Sequence, residues 1–298
     1  MKIALGPVQY YWPRIATMQF YQAMSETPVD IVYLGETVCS RRHELRFADW
    51  IEIADMLAEA GKEVVLSTQV LLESGRDLKT MREIAENGRY LVEANDMGAV
   101  RRSASRAFVA GPWLNVYNPP TLAMLAELGA RRWVMPPEMS EAGLAQMQAE
   151  RPAHLETEVF AYGRIPLAFS ARCFTARNRN FPKDNCQYVC MEHPDGLPLH
   201  TREGEPFLVL NGISTQSARV YNLIGEIDAL RALNVDVVRL SPQSQHMTDV
   251  IDAYHGVLSG RTDAGDALAA LAALHDRMPE ASCNGYWYGR PGLERVAR

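Results

Sequence analysis

Ile31-Val32-Tyr33-Leu34-Gly35 and Glu63-Val64-Val65-Leu66-Ser67 are two short apolar runs, and the helical segment Phe47–Ala60 lies between them. Both runs are rich in β-branched residues, which is typical of strands buried on both faces of a parallel sheet. A strand, a helix and a second strand in this order predict one crossover unit of such a sheet. The stretch from Ile31 to Ser67 therefore indicates an α/β fold.

The same alternation of strand and helix continues along the chain. We predict eight strands: Ile3–Gly6, Ile31–Gly35, Glu63–Ser67, Tyr90–Ala94, Arg106–Ala110, Arg132–Met135, Leu155–Ala161 and Val235–Leu240. The predicted helices include Phe47–Ala60, Leu78–Asn87, Pro120–Leu128 and Glu141–Ala149, with N-caps at Asp77 and Ser140. Eight such units predict a closed (β/α)8 barrel of the TIM type. No linker divides the chain, so residues 1–298 are predicted to form a single barrel domain. An open doubly wound sheet has the same element order and is the alternative.

The seventh unit departs from this pattern. After its strand, a long irregular insert of about residues 162–206 precedes a further strand, Phe207–Asn211, and a helix, Ala218–Leu233. An irregular segment of this length inside a compact domain is usually functional. An aromatic tail of about residues 280–298 follows the last unit, and we expect it to pack on the barrel or on a partner.

Composition excludes several classes of protein. Apolar residues make up 47% of the chain and charged residues 22%, as in an ordinary globular protein, and the formal net charge of −6 argues against general nucleic-acid binding. No apolar run is long enough to span a membrane. The first residues do not form a signal peptide, so the five cysteines are expected to be reduced thiols or metal ligands in the cytoplasm.

Four of the five cysteines are predicted to meet at one face of the barrel. Cys173, Cys186 and Cys190 lie in the insert, and Cys39 follows the second strand. The loops that follow barrel strands rise on the same face, so an insert that leans across the mouth can bring the four together. Cys283 lies far downstream, in the tail, and we expect it to be a buried thiol outside this group.

Thiolates that converge repel one another unless a cation lies between them, and the residue pattern leaves zinc and an iron–sulfur cluster equally open. Basic residues flank the cysteines and favour a metal site over bare thiols. They are Arg41, Arg42, Arg172, Arg177, Arg179 and Lys183. A catalytic pair of a cysteine with His43, His193 or His246 is a weaker alternative, because no nucleophile signature surrounds any cysteine.

Polar side chains near the ends of the strands are further candidates. Glu158 ends its strand near the mouth, where a carboxylate serves either as a general base or substrate ligand, or as a hydrogen-bonded polar group or a partner for Arg164. Tyr162 and Arg164 follow it, and an arginine there is suited to hold a carboxylate. Glu36 and Asn95 close two other strands at the same face and are candidates of the same kind.

The segment Glu158-Val159-Phe160-Ala161-Tyr162-Gly163-Arg164 matches the E-x-F-x-x-G signature of the collagenase-like, U-type peptidase family. The chain resembles the branch of that family that serves anaerobic ubiquinone biosynthesis, and in particular its smaller subunit. Lys2-Ile3-Ala4-Leu5-Gly6-Pro7 and Ser170-Ala171-Arg172-Cys173-Phe174-Thr175-Ala176-Arg177 carry this closer resemblance. The larger relatives place a cysteine shortly after the signature, whereas this chain continues Arg164-Ile165-Pro166-Leu167, so their catalytic roles do not transfer directly.

The resemblance implies a [4Fe-4S] cluster on Cys39, Cys173, Cys186 and Cys190. It also implies a heterodimer with a larger, homologous iron–sulfur subunit, a lipid-carrying accessory protein, and a quinone precursor whose ring is hydroxylated without oxygen. Relatives that hydroxylate tRNA suggest prephenate as the oxygen donor. Two rival hypotheses are a peptidase, as the family name suggests, and a non-catalytic scaffold with a structural cluster or zinc.

Overall fold

A computed structural model describes residues 1–274 and 282–297, which contain an eight-stranded barrel and an antiparallel sheet at its mouth. The strands are β1 (Lys2–Leu5), β2 (Ile31–Leu34), β3 (Glu63–Ser67), β4 (Leu91–Ala94), β5 (Phe108–Ala110), β6 (Ala130–Val134), β7 (Glu156–Phe169), β8 (Leu197–His200), β9 (Pro206–Asn211), β10 (Ser214–Asn222), β11 (Val237–Leu240) and β12 (Ser282–Cys283). The helices are α1 (Arg14–Ser25), α2 (Phe47–Glu59), α3 (Gly75–Ala85), α4 (Met97–Ser103), α5 (Pro119–Glu127), α6 (Glu141–Ala149), α7 (Phe174–Asn178), α8 (Ile227–Ala232), α9 (Met247–Leu258) and α10 (Ala264–Ala273).

The barrel closes on itself through parallel pairs. Strands β1 to β7 pair in sequence order, and β11 pairs with β7 on one side and with β1 on the other. The helices follow their strands as in a TIM barrel. This closure confirms the predicted (β/α)8 fold and rules out the open doubly wound sheet for the described residues.

Side chains from strands that are not neighbours meet inside the barrel, which shows that its interior is a packed core. Tyr33 on β2 donates a hydrogen bond to Glu158 on β7 at 2.5 Å. Arg239 on β11 contacts both Glu158, at 2.5 Å, and Glu93 on β4, at 2.7 Å. Apolar residues of the barrel strands form a buried cluster in the same interior, among them Val65 on β3 and Val237 on β11.

The long strand β7 carries the chain beyond the barrel. Its second half, after the barrel register with β6 and β11, pairs with β10, and β9 and β8 follow in antiparallel order. The described part of the tail joins the same region, because β12 pairs with β10. The cysteine insert, which we define as residues 170–205, is therefore anchored at both ends by one antiparallel sheet.

Three local predictions are wrong. The region from Tyr162 is not irregular from its start, since β7 continues to Phe169. The first five residues of the predicted helix Ala218–Leu233 belong to β10, which ends at Asn222, and only Ile227–Ala232 is α-helical. Tertiary pairing with β7 and β12 outweighs the local helical pattern there. The third wrong prediction is the N-cap at Asp77.

The helix caps give one confirmation and one correction. Ser140 caps α6 as predicted, accepting a hydrogen bond from the Gly143 nitrogen at 3.2 Å. Ser74, and not Asp77, is the N-cap of α3. Asp77 occupies the third helical position and accepts from the Ser74 nitrogen at 3.0 Å, so the two residues form a capping box.

Candidate functional site

Four cysteines line one small cavity at the barrel mouth. Cys39 lies in the loop after β2, Cys173 is the N-cap of α7, and Cys186 and Cys190 lie in short 3₁₀ turns of the insert. The cavity measures about 330 Å³ when the space open to solvent is included. Three of the four thiols are buried, and Cys190 is partly buried. The structure thus brings the four cysteines together across 151 residues of chain separation between Cys39 and Cys190 (190 − 39).

Two arginine side chains form part of the cavity wall. Arg41 donates to the Asp184 carbonyl oxygen at 2.7 Å, and Arg42 donates to the Gln9 carbonyl oxygen and to Asn211 Oδ1, both at 2.7 Å. The Nε atoms of both arginines are buried and have no hydrogen-bond partner among the described residues. Buried donors without acceptors are uncommon in native proteins, so these two mark a place for a negatively charged group.

Burial favours the protonated form of two of the four thiols, Cys39 and Cys190. Burial raises the pKa of Cys39 to about 11, and the nearby Arg42 guanidinium opposes this only in part. Burial likewise raises the pKa of Cys190, again against the effect of Arg42. A cation that binds these sulfurs must therefore displace protons, and its charge then replaces theirs.

The insert is tied to the barrel loops that carry Cys39. Trp12 donates to the Pro194 carbonyl oxygen at 2.7 Å, and Tyr188 contacts the His43 ring at 3.2 Å. Between β9 and β10, Gly212 has a φ of +64° and approaches Arg42 so closely that a Cβ would lie 2.9 Å from its Nη2. Glycine is suited to this left-handed turn and to the close approach.

Among the residues that the structure describes, no three histidine, cysteine, aspartate or glutamate side chains gather closely enough to hold one metal ion. The four thiols instead surround a space. Cys283 lies outside it, in β12, where it is fully buried against β10.

The family model described as peptidase family U32 matches residues 16–296. The chain belongs to the U32 family. Solved structures similar to this U32 chain include the U32 peptidase Mk0906, with 14% identity, a TM-score of 0.47, and coverage of 82% of this chain and 93% of that one. The spore cortex-lytic enzyme SleL of Bacillus megaterium QM B1551 matches at 11% identity and a TM-score of 0.39, over 82% of this chain and 71% of SleL. A mutant O-GlcNAc hydrolase of Thermobaculum terrenum matches at 11% identity and a TM-score of 0.38, over 92% of this chain and 62% of the hydrolase.

In this U32 chain, the E-x-F-x-x-G signature lies on β7. Glu158 is fully buried and is held by Tyr33 and Arg239, both at 2.5 Å, so its carboxylate is a partner of buried side chains inside the barrel. Gly163 has a φ of +126°, and a Cβ there would lie 2.4 Å from Ser241 Cβ. The signature therefore permits close packing between β7 and the chain that follows β11.

The other predicted polar residues lie in separate places. Tyr162 is buried, and its hydroxyl contacts Gln243 at 3.3 Å. Arg164 is also buried and donates to the backbone carbonyl oxygens of Ser217, at 3.1 Å, and Ala218, which stabilises β10. Asn95 donates to the Thr68 carbonyl oxygen at 2.8 Å, and its own Oδ1 has no partner among the described residues.

Glu36 is the predicted polar residue that belongs to the cysteine site. Its carboxylate accepts hydrogen bonds from the Val38 and Cys39 nitrogens at 2.9 Å and lies 3.5 Å from Arg42. Burial raises the pKa of Glu36, and Arg42 opposes the rise. Glu36 therefore shapes the loop that presents Cys39.

Sequence reasoning underestimated Arg42 and missed Gln9 and Asn211. Arg42 was noted as one of six basic residues that flank the cysteines, yet its side chain is only 2% exposed. Gln9 and Asn211 hold it from loops far apart in the chain. The adjacent pair Arg41-Arg42 was the available signal, but only the fold shows that both line the cavity and that Arg42 is the more deeply buried of the two.

Proposed function

We propose that this U32 protein is an iron–sulfur subunit of an oxygen-independent hydroxylase, of the UbiV type in ubiquinone biosynthesis. In this proposal, Cys39, Cys173, Cys186 and Cys190 hold a [4Fe-4S] cluster. The chain works in the cytoplasm as a heterodimer with a larger, homologous UbiU-type subunit, aided by a lipid-carrying protein that presents the quinone precursor. The observation that carries the proposal is that these four cysteines line a single arginine-walled cavity.

The arrangement of the thiols favours a cluster over zinc. A zinc ion draws four sulfurs to about 2.3 Å from one point. In a cubane, each thiolate binds a different iron atom, so the four sulfurs surround a wider body. Thiols that line a cavity without converging on a point match the second case better. The unpartnered Nε atoms of Arg41 and Arg42 match a net negative charge, which a thiolate-bound cubane and a four-thiolate zinc ion both carry, so they support a metal site of either kind.

The protein's own residues have clear tasks in such a site. When bound, the cluster supplies one-electron redox chemistry. Glu36 fixes the Cys39 loop through two backbone nitrogens, and Arg42 neutralises charge on the inner wall. The insert covers the cavity and excludes water, which strengthens the electrostatic effect of both arginines.

The peptidase alternative lacks a comparable observation. Four thiols on one metal group leave no open coordination position for a hydrolytic water. Glu158 is already paired with Arg239 inside the barrel, so it is not placed as a free general base.

Among the described residues, no helix is long and apolar enough to cross a bilayer.

The decisive experiment is anaerobic purification of the chain with and without the larger homologue. We expect about four iron and four sulfide per chain and co-elution of the two subunits in size exclusion chromatography. We also expect ring hydroxylation of the quinone precursor only when both subunits are present. Stoichiometric zinc without sulfide would refute the cluster. Separate elution of the two chains at micromolar concentration would refute the heterodimer.

A further inference from the structure

A second cavity, which we call the α2–α3 pocket, opens beside the cysteine site. It lies between the loop after β2, the start of α2 and the helix α3, and it measures about 870 Å³ when the space open to solvent is included. None of the four cysteines lines it, although Arg42 lines both cavities. The pocket is therefore a neighbour of the cysteine site and separate from it.

The floor of the α2–α3 pocket is apolar and partly aromatic. Phe47 and Trp50 on α2 and Ile84 on α3 line it. Phe47 and Trp50 are partly exposed, and Trp50 packs edge-on against Tyr21, with ring centroids 6.1 Å apart. A rigid aromatic wall of this kind offers a face on which a flat apolar group can stack.

The rim of the pocket is positively charged. Arg46 and Arg76 line it, are exposed, and have no ion-pair partner within residues 1–274 and 282–297. The acids that line the pocket are already engaged: Glu36 lies 3.5 Å from Arg42, Asp77 accepts from the Ser74 nitrogen at 3.0 Å, and Glu83 pairs with Lys79 at 3.8 Å. Two free guanidinium groups can each bind an oxyanion with two parallel hydrogen bonds.

Gln69 adds a polar group to the wall of the pocket. Its side chain lines the pocket, and its amide makes no hydrogen bond to any described residue. The amide is not among the fully buried unsatisfied groups, so it reaches the surface of the pocket. It is therefore available to donate to, or accept from, a polar group of a ligand.

We propose that the α2–α3 pocket binds a small organic anion in which a flat apolar body carries a carboxylate or a phosphate. The apolar body stacks on Trp50 and Phe47, the anionic group binds Arg46 and Arg76, and the Gln69 amide hydrogen-bonds to the ligand. None of the proposed ligand contacts involves a cysteine.

The test is a set of binding titrations with four probes, in which calorimetry and Trp fluorescence detect binding. Benzoate and phenyl phosphate carry both features of the proposed ligand, whereas benzyl alcohol and inorganic phosphate each carry one. We expect at least one of the first two to bind about tenfold more tightly than either fragment. Preference for benzoate assigns a carboxylate ligand, and preference for phenyl phosphate assigns a phosphate ester.

Substitutions locate the binding. Arg46→Gln and Arg76→Gln should each weaken the preferred probe about tenfold, since each removes a charge-assisted contact. Arg82→Gln, on the exposed face of the same helix as Arg76, is the matched control and should leave the affinity unchanged. Trp50→Phe should abolish most of the fluorescence response, while circular dichroism verifies the fold. The proposal is wrong if neither anion binds better than its fragments, or if Arg82→Gln weakens binding as much as Arg76→Gln.

Discussion

At the scale of single residues, Arg42 links the parts of the candidate site. Its side chain is 2% exposed and contacts the loop after β1 through Gln9, the loop after β2 through Glu36, and the end of β9 through Asn211. A charge this deeply buried is stable only when its partners are present. Arg42 therefore serves both the stability of the loops and the charge of the cysteine cavity.

Removing Arg42 should destabilise the protein strongly. Arg42→Met leaves Glu36 buried without its cation, and breaking a buried pair from one side costs about 3–5 kcal/mol. Arg14→Met breaks the exposed pair with Asp49 and should cost no more than about 1 kcal/mol. Urea unfolding of both variants measures the difference. Glu36→Gln added to Arg42→Met should recover part of the loss, and equal losses for the two single variants would contradict the assigned role.

The ligand assignment is tested cysteine by cysteine. Replacing any one of the four cavity cysteines by alanine should remove most of the iron and of the visible absorption, because a cubane needs all four thiolates. The four variants are Cys39→Ala, Cys173→Ala, Cys186→Ala and Cys190→Ala. Cys283→Ala is the matched control and should retain both signals, since Cys283 is buried in β12, outside the cavity. Loss of iron in Cys283→Ala together with retention in Cys39→Ala would overturn the assignment.

At the scale of elements, the sequence predicted the barrel better than the insert. Strands such as Glu63–Ser67 agree with the structure because continuous β-branched runs have one favourable environment, a sheet buried on both faces. Residues Ser214–Asn222 were missed because their pairing with β7 and β9 depends on distant chain, and Ala218–Leu233 has a plausible helical pattern by itself. The prediction that four cysteines meet followed from the rule that the loops after barrel strands share one face. The burial of Arg42, by contrast, could be recognised only in the three-dimensional structure.

The cysteine insert should depend on its metal for order. Within residues 170–205 the structure describes only short helical turns, α7 and the edge strand β8, so the insert has little regular structure to hold it. Metal ligation can contribute on the order of 10 kcal/mol to ordering such a segment. The side chains of Arg172 and Arg177 are already exposed, so chelation should permit tryptic cleavage after Arg172, Arg177 and Lys183 by loosening the backbone of the insert, and it should leave the barrel intact. Mass spectrometry of the fragments measures this, and Cys283→Ala, which keeps its cluster, should resist cleavage before chelation. Equal cleavage of metal-loaded and chelated protein would contradict the idea.

At the scale of the whole molecule, the described part of the tail packs against the body of the protein. Trp287 is fully buried in the chain's own core, and Tyr288 donates to Glu226 at 2.8 Å. The described tail thus packs on the body, one of the two outcomes expected for it. Residues 280, 281 and 298 of the predicted tail lie outside the described residues. For the proposed heterodimer, the antiparallel sheet with its edge strand β8 is a candidate surface.

Glu158 lies in the charged core of the barrel. It has two candidate roles, as a catalytic base or as a structural partner of other buried side chains. Glu158 contacts Tyr33, Arg239 and Arg132, which come from three other strands around the barrel, so it ties the whole ring together. Glu158→Gln keeps the side-chain volume but removes the negative charge that compensates Arg239 and Arg132. Because one partner of a buried charged pair is then lost, the free energy of unfolding should fall by about 3–5 kcal/mol. Glu156→Gln is the matched control, because Glu156 is partly exposed at the other end of the barrel, where it pairs with Arg132 at 2.6 Å, and its loss should cost less. Urea unfolding measures stability, and hydroxylation by the paired subunits, normalised to folded protein, measures activity. A structural role predicts a large loss of stability with activity per folded molecule retained. Full stability with lost activity would instead assign Glu158 to the chemistry.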